Sequence, residues 1–148
     1  MDQVKEGAIQ YQWSDAWLLY SIVLAGGGKP AELHKIFWVA DWMNRAIFTE
    51  EQFEGGLSRL SKGGWLKEVS GRFAPTRKYQ RVKSKITGSA LAKCDKLSKI
   101  LGVKPRDFAG MAPEHSRYPG FSAKVFREAY RRYRKEFKEV YVKLHKKK

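Results

Sequence analysis

Ile47–Leu66 reads IFTEEQFEGGLSRLSKGGWL, and the parsing of this stretch decides the fold. Thr49 followed by Gln52 is a capping box, and Phe48 with Phe53 makes a hydrophobic staple across it, so a helix starts at Thr49. Phe53, Leu57 and Leu60 form its inward stripe, with Gly56 beside them. Gly63-Gly64 ends it. The runs WLKEV and RFA that follow read as two short strands around Ser70-Gly71, a two-residue hairpin turn. Two features of the helix need a reason. Each interior glycine costs about 1 kcal/mol relative to alanine, so close approach of other groups is expected, the second helix at Gly56 and something outside at Gly55. The first turn is also acidic, with Glu50 and Glu51, then Glu54. Carboxylates there complement the helix dipole by about 0.3–1 kcal/mol each, yet they would repel phosphates.

Upstream, Ser14 is a good N-cap, with Trp13 and Leu18 at staple positions. They predict a first helix from Asp15 to Ala25, stopped by Gly26-Gly27-Gly28. It is apolar nearly all round, so burial on most sides is expected. Pro30 fits the first turn of a second helix running to Asn44. One face of that helix carries Leu33, Ile36, Phe37, Ala40 and Met43. A second stripe carries His34, Trp38 and Trp42, read as an aromatic helix–helix contact with the C-terminal half or another subunit.

Downstream, Tyr79, Val82, Ile86, Ala90, Cys94, Leu97 and Leu101 recur at helical spacing. They predict one long helix, weak at Gly88 and ended by Gly102. Residues 103–120 contain Pro105, Pro113 and Pro119 and read as loop. Ser122 caps a last helix to about Leu144. Its Phe126, Tyr130, Tyr133, Phe137, Val140 and Leu144 form an a/d seam, expected to pack on the Trp38/Trp42 face or on a partner subunit. The terminal KKK reads as frayed.

The element order helix, helix, helix, strand, turn, strand over residues 13–76 resembles the winged-helix superfamily, in the style of MarR-like bacterial regulators. The stretch DWMNRAIFTEEQFEGGLSRL is also similar to a group of small bacterial winged-helix proteins of unassigned function. The expected fold is mainly α, a winged helix-turn-helix domain at 13–76 followed by a basic helical extension at 77–148. The resemblance implies that the third helix enters the major groove of double-stranded DNA while the hairpin touches phosphates or the minor groove. By helical spacing its outward positions are Glu51, Glu54, Gly55, Ser58, Arg59 and Lys62. Ser58, Arg59 and Lys62 then suit base edges or phosphates. Lys67 and Arg72 of the hairpin, with Arg77 and Lys78 after it, carry over by position alone.

The 148 residues suit one domain, or one small domain with an extension. The formal charge of +15 points to polyanionic partners. Residues 1–75 hold 8 basic and 9 acidic side chains and residues 76–148 hold 22 and 6, so the halves are expected to do different jobs. Arg131, Arg132, Arg134 and Lys135 mark the densest basic run, expected to meet the nucleic-acid backbone. DNA binding in transcription regulation is the leading expectation. The alternative is a protein-interaction module whose basic tail grips RNA, the ribosome or other nucleic acid non-specifically. Surplus apolar faces also predict a homodimer.

Catalysis has little support. His34, His115 and His145 are far apart, and no spacing matches a zinc site. Cys94 lies on a helix seam as a small core residue. GGGKP lacks the spacing of a P-loop. No enzyme activity and no cofactor or metal are therefore expected. The lone cysteine excludes an intramolecular disulfide, and MDQVKEGAIQYQW has no apolar leader core. The longest apolar run, AWLLYSIVLA, is about half of a bilayer span. These features predict a cytoplasmic protein without membrane contact.

Overall fold

The computed structural model describes residues 9–103, 118 and 121–146. Its first helix, α1 (Trp13–Gly26), is apolar on almost every side because it is enclosed: every residue from Trp13 to Ile22 is buried. Around it lie α2 (Leu33–Asn44), α3 (Glu50–Lys62), a hairpin of β1 (Leu66–Val69) and β2 (Arg72–Pro75), and α5 (Ala90–Ile100). The chain between hairpin and α5 forms α4 (Arg77–Val82) and a 3₁₀ turn at Lys83–Lys85. The last helix, α6 (Ala123–Lys146), packs on α2. The protein is thus mainly helical with a small two-stranded antiparallel sheet. One continuous cluster of buried side chains runs from Trp13 to Tyr133, drawing on both halves of the sequence.

The start of α3 follows the capping box. Gln52 N donates to Thr49 Oγ1, and Thr49 N donates to Gln52 Oε1, each at 3.0 Å. The hairpin pairs Leu66 with Pro75 and Val69 with Arg72. Its turn residues Ser70 and Gly71 have φ of 51° and 78°, the left-handed pair that matches strand twist in a two-residue hairpin.

Three boundaries differ from expectation. α1 starts at Trp13 rather than Asp15, because Gln12 occupies the N-cap and its N–H donates to the Asp15 carboxylate at 2.9 Å. α2 starts at Leu33, and Pro30 lies outside it. Ala31 instead makes an isolated antiparallel bridge to Phe73, with N–H···O distances of 2.7 and 3.1 Å, and those two bonds hold the chain extended. The long helix expected across residues 79–101 is two helices. Ile86 is extended and buried, Gly88 takes φ +107°, and Ser89 caps α5 by accepting from Ala92 N. The loop read across residues 103–120 and the frayed terminal lysines fall largely outside the described residues.

The faces that suggested a dimer are covered within the chain for α1 and for the first half of the α6 seam. Phe126 and Tyr133 are buried against Phe37, at ring-centroid distances of 5.2 and 6.4 Å. The far half is open, with Leu144 61% exposed. Of the second stripe of α2, His34 and Trp38 meet α6: Trp38 stacks edge-on to Tyr133 at 5.4 Å and donates Nε1–H to Glu136 at 3.1 Å. Trp42 is 71% exposed and takes no part in that contact. Among the described residues no helix is long and apolar enough to cross a membrane.

Candidate nucleic-acid interface

The outward face read for α3 is largely turned into the protein. Arg59 is only 7% exposed. Its Nε and Nη2 donate to the two carboxylate oxygens of Asp15 at 2.6 and 2.8 Å, and Asp15 is wholly buried at 0%. The two interior glycines make this pair possible. A β-carbon at Gly55 would stand 2.9 Å from Arg59 Nη1, and one at Gly56 would stand 2.7 Å from Leu18 Cδ2 and 3.1 Å from the Asp15 carboxylate. Gly56 therefore admits α1, not the second helix, and Gly55 admits the guanidinium, not an outside group. Ser58 is also buried, and its hydroxyl has no partner among the described residues. The outward placement of Gly55, Ser58 and Arg59 is thus corrected. Spacing alone missed that α1 brings a carboxylate to this flank.

Two exposed side chains remain on α3, Glu51 and Lys62. Glu54 is engaged by the chain itself: Tyr118 N donates to its carboxylate at 3.1 Å, and the Tyr118 hydroxyl donates to Glu68 on β1 at 2.8 Å. The Tyr118 ring lies 6.0 Å from Phe73. Burial and the hydrogen bond to Glu68 raise the Tyr118 pKa, so the phenol stays protonated as donor. One tyrosine thus spans the gap between α3 and the hairpin.

The hairpin cations are exposed but partly engaged. Arg72 lies 3.5 Å from Glu32, and Lys78 donates to the Gly63 carbonyl at 2.7 Å with its ammonium 4.8 Å from the Trp65 ring centre. Lys67 and Arg77 are exposed on their elements. Glu32 also reaches Arg132 of α6 at 3.9 Å, while Arg132 Nε lies 3.7 Å from Glu136. The structure therefore brings Arg72 and Arg132 together on one carboxylate, with Glu136 as a second partner of Arg132. Arg132 belongs to the α2-facing flank, apart from the other three residues of the basic run.

The opposite flank of α6 is different. Arg127, Arg131, Arg134 and Lys138 recur at steps of four, three and four residues, which puts them on one face. All four are exposed, and none has an ion-pair partner among the described residues. Lys135 lies just beyond them and is also exposed. Sequence reasoning found Arg131, Arg134 and Lys135 but missed Arg127 and Lys138. The heptad step was the available signal. This stripe borders the aromatic seam, and Arg134 sits 5.9 Å from the Tyr130 ring centre.

No group of three or more histidine, cysteine or acidic side chains that could hold a metal occurs among the described residues. Cys94 is wholly buried, its sulfur 3.2 Å from Met43 Sδ. The chain matches no family model, no curated protein and no solved structure.

Proposed function

We propose that the chain is a winged-helix module that binds nucleic acid through the phosphate backbone, using the basic stripe of α6 rather than α3 as its contact surface. The order helix, single bridge, helix, helix, hairpin supports the winged-helix reading, with Ala31 serving as a third short strand against Phe73. One observation carries the choice of surface. The only arginine of α3 is buried on Asp15, whereas Arg127, Arg131, Arg134 and Lys138 stand exposed without carboxylate partners among the described residues. Phosphate contacts position a protein but carry no sequence information, so binding of this kind is indifferent to sequence. It fits a nucleic-acid-coating or anchoring role better than sequence-specific regulation.

Binding to a random duplex pool at about 50 and about 200 mM salt tests this. Four phosphate contacts predict a loss of affinity of about a hundredfold across that range, and no enriched motif in the bound fraction. A motif that persists at the higher salt would overturn the reading.

A further inference from the structure

A groove of about 1110 Å³ runs between the C-terminal end of α2 and the stripe flank of α6. Its walls are of two kinds. Tyr130, Phe137 and Tyr141 supply aromatic surface, and Arg127, Arg131 and Arg134 supply part of a cationic rim, closed at the α2 end by Arg45. We propose that this groove is a binding site for a single strand of nucleic acid, with bases against the aromatic wall and phosphates along the cationic rim. The inference rests on the reading that this face of α6 meets nucleic-acid phosphates, and adds which form of nucleic acid it takes.

Three observations select that occupant. First, the rim is uncompensated. The one carboxylate among the described residues that line the groove, Asp41, accepts the Tyr133 hydroxyl, and none of the rim cations named has an ion-pair partner among the described residues. Like charges three and four residues apart oppose an isolated helix, so a bound polyanion would relieve a repulsion built into α6. Second, the aromatic wall is open where the cations are. Phe137 and Tyr141 are 45% and 54% exposed. From Tyr130 to Tyr141 the wall spans about 16 Å of helix, alongside the stripe from Arg127 to Lys138. A duplex keeps its base faces stacked inside and has no use for such a wall, whereas a single strand offers a π-face at each base and a charge at each link. Third, Arg45 holds φ +52°, a left-handed conformation at a helix end where glycine is the usual residue. A glycine would close α2 with less strain but would remove the cation from the groove's lip. Ring stacking and phosphate pairing do not distinguish deoxyribose from ribose, so both kinds of strand should bind alike.

The test is fluorescence anisotropy with labelled oligodeoxythymidylate, oligouridylate, a duplex of equal length and polyglutamate. The full chain is compared with Phe137→Leu/Tyr141→Leu, which keeps apolar bulk but removes the rings, and with Arg131→Gln/Arg134→Gln. Both single strands should bind at least about tenfold more tightly than duplex or polyglutamate. The leucine pair should lose about tenfold on single strands and less than about threefold on duplex. The glutamine pair should weaken all nucleic acids. Retained single-strand affinity in the leucine pair, or duplex or polyglutamate binding equal to that of single strands, overturns the groove. So does a sugar preference above about tenfold. Failure to bind any nucleic acid overturns the phosphate-binding reading as well, so the two failures are distinct. Ultraviolet crosslinking of bromodeoxyuridine-substituted single strand to the unaltered chain gives a second readout independent of any variant. Crosslinks at residues 130–141 support the site, and crosslinks confined to residues 50–75 overturn it.

Discussion

Arg59 separates the two uses of α3. On a reading helix its guanidinium would meet a base edge; here it closes a buried bidentate pair with Asp15. Removing one partner of such a pair leaves an uncompensated buried charge, at about 3–5 kcal/mol. Arg59→Ala should therefore lower unfolding stability by about that amount in urea titration, while nucleic-acid affinity of the folded fraction stays unchanged. A variant of unaltered stability with weakened binding would return α3 to the role of reader. The clue to this pair was in the sequence. Asp15 is the one charge in an otherwise apolar helix, and Gly55 precedes Arg59 by one helical turn. Spacing showed that Gly55 and Arg59 share a face, but not that α1 would lie against that face. Arg45 makes a second residue-scale prediction. Its left-handed backbone costs about 1–2 kcal/mol, and glycine's greater freedom when unfolded offsets about 0.5–1 of it. Arg45→Gly should thus stabilise the fold by about 0.5–1 kcal/mol while weakening single-strand binding. A loss of stability on thermal denaturation would contradict the strain argument.

Elements held where local signals agreed and shifted where a distant partner intervened. The third helix and the hairpin stand where the capping box and the Ser70-Gly71 turn put them, because both signals are complete within a few residues. The start of α2 moved because Ala31 finds Phe73, a pairing across the whole of α2 and α3 that no local pattern announces. The long helix split at Gly88, where the sequence marked weakness but could not show that Ile86 would turn into the core. The α2–α6 contact was legible as two matching stripes, yet only its first half is closed. That contact contains His34, which lies 3.6 Å from Glu32 and 3.8 Å from Glu136. Burial, followed by the charge of Arg132, lowers its pKa below 6.5 and outweighs the two carboxylates. The folded state thus favours neutral imidazole, and the unfolded chain binds more protons near and below pH 6.5. Stability from this group is present above pH 6.5 and is lost as pH falls through the lowered value. His34→Gln should flatten that part of the stability–pH curve. An unchanged slope below pH 6.5 in the variant would refute it.

At the scale of the molecule, the charge division read from sequence acquires a physical layout. In the near-neutral first half several charges are engaged within the chain: Asp15 on Arg59, Glu32 on Arg72 and Arg132, Glu54 and Glu68 on Tyr118. The basic second half contributes α5 and one flank of α6 to the shared core and leaves the other flank to solvent. Glu50 and Glu51 in the first turn of α3 complement its helix dipole, and on the reading proposed above no phosphate has to approach them. Composition made the asymmetry visible; which cations stay uncompensated depended on the side-chain partners. On the proposed reading, nucleic acid is held by the α6 stripe and not by α3. The salt dependence of duplex affinity in two variants distinguishes the two surfaces. Arg131→Gln/Arg134→Gln/Lys138→Gln should make the slope of log affinity against log salt shallower by about 2–3, one phosphate contact for each lost charge. Glu51→Gln/Lys62→Gln on α3 should leave both slope and affinity as they are. A slope unchanged by the first set and altered by the second would place the nucleic acid on α3 instead.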